Sequence, residues 1–261
     1  MVSAPEVAAN LATAERLIIQ AAEEGAEIVL LPEYFCLMGR RDTDKVDIKE
    51  APGGPIQTYL AECARRHRIT IIGGTVPMIS TKAGRVLNTC TVFGPDGAPI
   101  ARYDKIHLFG FKRGDEKFDE AATILPGRTP VVCDLQTHAG PLLRTGLSIC
   151  YDLRFPELYR QMSPVDLIVV PSAFTYTTGQ AHWELLLRAR AVENQCYVLA
   201  AAQGGTHATG RRTWGHSMLV DPWGEIKAVL PEGEGVVYGI VDAARIADVR
   251  ASLPALTHRA L

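Results

Sequence analysis

Three reactive side chains stand directly after apolar runs: Glu33 after Ile28-Val-Leu-Leu31 and Pro32, Lys105 after Ile100-Ala-Arg-Tyr-Asp104, and Cys150 after Thr145-Gly-Leu-Ser-Ile149. Open α/β sheets place their chemistry beyond the carboxyl ends of strands, so these positions are candidates as a set. Each alone has an ordinary explanation: a helix cap or loop acid, a surface lysine, and a packed, inert cysteine. Together they have a chemical logic. Cysteine attacks as the thiolate. A neighbouring carboxylate can take its proton and return it to a leaving amine or ammonia. A lysine ammonium can stabilise both the thiolate and the oxyanion of a tetrahedral intermediate. That combination hydrolyses a C–N bond through a thioester and calls for neither a metal nor an organic cofactor. A cysteine–histidine hydrolase is the competing arrangement, with His107 and His216 as possible bases, although both histidines read better as structural hydrogen-bonding residues. The sequence contains no HExxH, CxxC, GxGxxG after a strand, GxxxxGK[ST] or GxSxG.

Such groups need elements to hold them. Ser3 and Glu6 have capping-box spacing ahead of a helical repeat of Val7, Leu11, Ala14 and Ile18 that stops at Gly25. A doubly buried strand is expected over 28–31, and a second amphipathic helix over 55–68 with a basic end that suits the helix dipole. Strands follow at 69–76, 86–93 and 98–103, the last two separated by the Gly94-Pro-Asp-Gly97 turn. A charged loop over 112–120 precedes the run into Cys150. Then come a helix at 156–162, a buried strand at 167–170, a helix at 180–195 and a strand at 196–202. The β-rich end has strands at 216–220, 225–229 and 236–241. No repeat or linker divides the chain, so residues 1–261 form one layered α/β domain.

Composition narrows the function. The 261 residues carry 27 Lys and Arg against 29 Asp and Glu, a formal charge of −2, which disfavours a general nucleic-acid binder. No apolar run approaches the ~20 residues of a membrane span. The first residues lack a basic start and apolar stretch, so no signal peptide is expected. Six scattered cysteines without a CxxC pair read as reduced thiols of a cytoplasmic protein.

The local sequences around the three residues also resemble a known family. Residues 30–35 (LLPEYF), 103–109 (YDKIHLF) and 147–160 (LSICYDLRFPELYR) are similar to the three catalytic blocks of the nitrilase, or carbon–nitrogen hydrolase, superfamily. The likeness continues through 169–205 and 211–225. It implies an α-β-β-α sandwich that forms a homodimer or higher homo-oligomer through its outer helices. It also implies Glu33 as general base, Cys150 as nucleophile, Lys105 as stabiliser of the tetrahedral intermediate, and Glu120 as a second acid that orients the lysine. The Tyr151 backbone N–H is expected to complete the oxyanion hole with Lys105.

Within the superfamily, the stretch around Cys150 and residues 171–174 (PSAF) resemble the deaminated glutathione amidase branch more than the ω-amidase branch, where Gly usually stands at Ser172. The implied activity is hydrolysis of a small acidic amide with release of ammonia, deaminated glutathione first and α-ketoglutaramate-like or N-carbamoyl substrates as alternatives. An arginine near the thiol is expected to pair with a substrate carboxylate. Arg154 is the first candidate, with Glu157 as its competing structural partner, and the Arg211-Arg212 loop is second. Phe174 and Thr175 are expected in the pocket wall. Trp183, Leu186, Leu187 and Cys196 are expected to be packing or dimer contacts, while Cys36 is given no role. A silent, protein-binding family member is the reading from another class, disfavoured because Glu33, Lys105, Glu120 and Cys150 are all present.

One departure stands out. Family members normally begin with a strand just before the segment that resembles residues 1–18, and here that strand is missing. A missing interior strand leaves neighbouring backbone groups unpaired and a sheet edge open. Reduced solubility or activity is therefore expected, and a longer amino end would relieve it.

Overall fold

The computed structural model describes residues 1–114, 116–138 and 140–260. Two sheets stack face to face with helices outside, the α-β-β-α sandwich expected from the sequence. The first sheet contains β1 (Ile28–Leu30), β2 (Thr70–Ile72), β3 (Val76–Ile79), β4 (Val86–Phe93) and β5 (Pro99–Asp104). β1 runs parallel to β2, while β2 and β3 both lie antiparallel to one edge of β4 and β5 lies antiparallel to the other. A hairpin of β6 (Gly110–Arg113) and β7 (Glu116–Asp119) projects beyond it. The second sheet contains β8 (Val131–Leu135), β9 (Leu143–Leu147), β10 (Leu167–Ser172) and β11 (Tyr197–Ala202). A small ribbon of β12 (Gly204–Thr206) and β13 (Arg212–Trp214) follows, and β14 (Ser217–Val220) and β15 (Ile226–Leu230) complete the second sheet in the order β15-β14-β11-β10-β9-β8.

β9, β10 and β11 run parallel, and β10 is buried at every residue, as a continuous Leu-Ile-Val-Val run between two apolar layers requires. The main core lies between the sheets, where Val92 and Tyr103 meet Leu147, Val169 and Val198. Helices α1 (Val7–Glu23) and α3 (Pro55–His67) cover the first sheet through a second cluster, and the short α2 (Asp44–Asp47) lies between them in sequence. Helices α4 (Pro156–Met162) and α5 (Tyr176–Asn194) cover the second sheet through Tyr159, Trp183 and Leu187, and α6 (Ala243–Ser252) closes the chain with Ile246. Trp183, Leu187 and Cys196 are fully buried, as packing residues should be.

Several expectations need correction. Ser3 does not cap α1; its hydroxyl donates to the Phe35 carbonyl, and Glu6 precedes the helix without a side-chain cap. The expected strand over 69–76 is split because Gly74 turns at φ +53°, with a Cβ position only 2.2 Å from the Pro32 carbonyl oxygen. That close approach, open only to glycine, presses the β2–β3 bend against the residue before Glu33. The segment over 112–120 is largely the β6–β7 hairpin, registered by the Phe111–Phe118 pair. Helix α5 starts at Tyr176 because the Thr175 hydroxyl accepts the Thr178 N–H and caps it.

Residues 236–241 form no strand. They face the outer edge of β1 across an apolar cavity of about 660 Å³, lined by residues including Leu17, Ile18, Leu30, Leu199, Leu219 and Ile240. Among the described residues β1 pairs only with β2, and both borders of this cavity lack a strand partner. A strand needs a neighbour for its backbone groups, which is why a good β sequence remains irregular here. The open border coincides with the place where the resemblance leads one to expect a further strand.

Candidate active site

The chain ends of both sheets converge on one buried ammonium. Lys105, just past β5, is fully buried and donates to Glu33 Oε1 at 2.8 Å and to Glu120 Oε1 and Oε2 at 3.0 and 2.8 Å. Glu33, three residues past β1, is 1% exposed and accepts two further donors: Asn88 Nδ2 on β4 at 2.9 Å and the Ala173 N–H beyond β10 at 3.0 Å. Glu120, in the 3₁₀ turn Glu120–Ala122 after β7, also accepts from the Tyr34 hydroxyl and the Phe109 N–H, both at 2.7 Å. Thus every buried charge of the cage is met by charge-assisted bonds.

Cys150 completes the group. It opens the 3₁₀ turn Cys150–Arg154 at φ +48°, a left-handed backbone that only an over-determined site sustains in a non-glycine residue. Its thiol is buried beside the Ala173 amide and within the fields of Glu33, Lys105 and Glu120. Burial, reinforced by Glu33, pushes the thiol well above its ordinary range, although Lys105 pulls the other way. A thiol held up in this way would need a base in order to act as a nucleophile. Burial likewise opposes the Lys105 ammonium, but Glu120 and Glu33 more than reverse it and hold the amine well above its usual range. Burial would raise the Glu120 carboxyl, yet the Lys105 charge and its hydrogen bonds hold it below the usual carboxylate range.

Asp152, fully buried in the turn after Cys150, locks that turn. It accepts the Tyr103 hydroxyl at 2.7 Å, the Ile149 N–H at 2.9 Å, and the His107 N–H and Nδ1 at 3.0 and 2.7 Å. His107 also stacks on Phe155 at 3.7 Å, and His216 bonds the Trp214 carbonyl and stacks on its ring. Both histidines are structural in this sense. Tyr151 is the second residue of the 3₁₀ turn, so its N–H has no acceptor within that turn.

The other expected contacts divide. Arg154 does not pair with Glu157: it meets His182 Nδ1 at 3.2 Å and lies over the Tyr151 and Phe174 rings. Phe174 is 5% exposed and packs on Trp183, so most of its ring is core. Thr175 is buried and its hydroxyl is occupied by the α5 cap, which makes it a positioning residue for the turn after β10. Arg211 donates to the Ala173 carbonyl at 3.4 Å, whereas Arg212 turns outward onto Tyr176 and Glu232. Cys36 is buried rather than partly exposed, and burial pushes its thiol up to about 12. Asn88, Tyr34 and Asp152 were not singled out from the sequence. An asparagine inside an apolar strand and an aspartate two residues after the reactive cysteine were the signals available.

A buried Glu–Lys–Glu cage beside a strained cysteine, built on the strand ends of an α-β-β-α sandwich, is the arrangement of a cysteine-dependent carbon–nitrogen hydrolase. The chain belongs to the carbon–nitrogen hydrolase family, whose profile matches residues 2–251. It is 42% identical over 265 residues to a deaminated glutathione amidase of Synechocystis, covering 99% of this chain and 95% of that protein. It is 41% identical over 249 residues to an omega-amidase of Homo sapiens, covering 94% of this chain and 87% of that protein. Among solved structures, a Saccharomyces cerevisiae member of branch 10 of the nitrilase superfamily superposes with a TM-score of 0.86 at 32% identity, over 97% of this chain and 91% of the other.

Proposed function

We propose that the chain is an amidase that cleaves a small acidic amide through a thioester on Cys150, with deaminated glutathione as the first substrate. The observation that carries this reading is Lys105, fully buried between two carboxylates and within the field of the Cys150 thiol. Glu33 takes the thiol proton as sulfur attacks the amide carbonyl. The resulting oxyanion receives the Lys105 ammonium and the Tyr151 N–H; two such donors contribute on the order of a few kcal/mol. Lys105 spends its three N–H donors on Glu33 and both Glu120 oxygens, so it re-aims one of its two Glu120 bonds and keeps the other. Glu33 then protonates the leaving nitrogen, and the C–N bond breaks to give the thioester. Water deprotonated by Glu33 attacks the thioester, and the acid leaves as the thiol is restored.

The leaving group depends on the amide. A primary amide such as α-ketoglutaramate releases ammonia, whereas deaminated glutathione, cut at its γ-amide, releases a dipeptide amine, so the expected release of ammonia is corrected for that substrate. The relatives include proteins named for each activity at nearly the same identity, so both substrates belong in the first assay. Turnover of deaminated glutathione, abolished in Cys150→Ala, is the expected result. A folded wild-type chain that turns over neither amide would overturn the reading. In the substrate complex Arg154, held over Tyr151 and Phe174, is the first candidate to meet a carboxylate.

Among the described residues no helix is long and apolar enough to cross a membrane. The reading carries a cytoplasmic location, supported by six cysteines without a disulfide. It also carries a homodimer or higher homo-oligomer, supported by Leu185 and Val192, which are exposed on the outer side of α5.

A further inference from the structure

The cage itself is poorly suited to an acidic substrate. Glu33 and Glu120 against Lys105 leave it one negative charge in excess, and in a low-dielectric setting such an excess repels a carboxylate over several ångströms. Two cations beside the cage reverse that sign, and among the described residues neither forms an ion pair.

Lys45 belongs to α2. The loop before it is tied down by Asp44, which accepts the Arg40 and Arg41 N–H groups at 2.8 and 3.0 Å. In that loop Arg40 approaches Glu6 and Arg41 pairs with Asp44, both at the surface. Lys45 alone turns inward: Nζ reaches the Thr123 hydroxyl at 3.3 Å and stands 5.6 Å from the centre of the Tyr34 ring, whose hydroxyl holds Glu120. Burial lowers its ammonium below the ordinary lysine range, an effect that Asp42 and Glu120 oppose and that Arg211 and Lys105 reinforce. Arg211 approaches from the β12–β13 ribbon. Its guanidinium lies 5.4 Å from the Phe118 ring centre and donates to the carbonyl of Ala173, whose N–H holds Glu33. Its Nε is buried and has no hydrogen-bond partner. Among the described residues no carboxylate lies within ion-pair distance of either half-buried cation, so a ligand anion can neutralise both.

We propose that Lys45 and Arg211 together form a carboxylate-reading mouth, which takes the substrate's anionic end while the amide lies at Cys150. This rests on the amidase reading and assigns its preference for acidic amides to a particular pair of residues. The Arg211 Nε is the donor left for one carboxylate oxygen, and the Lys45 ammonium meets the same group from the α2 side.

Glutaramate and pentanamide test the pair, because they are primary amides of equal chain length that differ in a terminal carboxylate. In Arg211→Gln and in Lys45→Met, KM for glutaramate is expected to rise about tenfold or more, the scale of one lost charge-assisted bond. Any loss on pentanamide should be at least about fivefold smaller than the loss on glutaramate, a split that a carboxylate contact produces and a general disturbance of the site does not. Arg211→Lys should recover part of the loss. Equal losses on both amides, or an unchanged KM for glutaramate, would overturn the proposal. Calorimetric binding of glutarate separates this failure from that of the amidase reading. Glutarate binding that the variants lose upholds the mouth even if neither amide turns over; binding that ignores them, or none in the wild type, removes it.

Discussion

Around Lys105 every buried charge has a partner, while along β1, three residues before Glu33, one edge of the same sheet opens onto an apolar cavity of about 660 Å³. The two regions share a strand and differ in what holds them. The cage is tied by side chains and amides from five separate segments: Glu33 after β1, Asn88 on β4, Lys105 after β5, Glu120 after β7 and Ala173 after β10. The border of β1 relies on packing and on one neighbour, β2. Local saturation by hydrogen bonds can thus keep the geometry of the cage where the strand beside it has an open edge.

Removing charge from the cage should have the largest effect. Lys105→Met leaves Glu33 and Glu120 buried without their counter-ion, and breaking a buried pair this way costs about 3–5 kcal/mol. Thermal unfolding of the variant should show that loss along with abolished turnover. A stable, inactive variant would mean that the cage serves chemistry alone.

Titration should act next. The Glu120 carboxyl is held below its ordinary value, so its contribution to stability is present above the unfolded-state pKa and is lost as pH falls through the folded one. Lys105 is raised, so its contribution is complete below the unfolded-state pKa and is lost only as pH rises through the folded value. The cage should therefore hold from somewhat below about pH 4.3 to above about pH 10.4. Denaturant midpoints across that range should stay level with respect to these groups and fall outside it. A decline beginning near pH 6 would assign the sensitive group elsewhere.

The smallest effect should come from the hollow side. A six-residue apolar extension ahead of Met1, whose own side chain lines the cavity, should enter it and pair with β1 and with residues 236–241. A gain of one kcal/mol corresponds to about 2–4 °C in a domain of this size. Slower amide exchange at Ile28–Leu30 and 236–241 should accompany the gain. Unchanged exchange and an unchanged midpoint would show that the two borders do not accept a strand.

The difference between the regions also explains what could be read from the sequence. Glu33, Lys105 and Cys150 were legible because each ends an apolar run, and the fold places all three together. Glu120 was reached through the family resemblance, since its role as a holder of Lys105 depends on the unforeseen β6–β7 hairpin. Asp152 and Asn88 escaped notice because their value lies in partners distant in the chain, such as Tyr103 and Glu33. The expected strand over 236–241 failed for the complementary reason: its residue types favour a strand, but pairing requires a neighbour that residue types cannot supply.

Glu33 has one more consequence. Its carboxylate accepts from Asn88 and Lys105 on the first sheet and from the Ala173 amide at the end of β10 on the second. This buried carboxylate is thus also a rivet between the two layers, beside the Tyr103–Asp152 bond. On the proposed mechanism, any slip of one sheet along the other would pull Glu33 away from the Cys150 sulfur, and amide turnover would double as a gauge of sheet alignment.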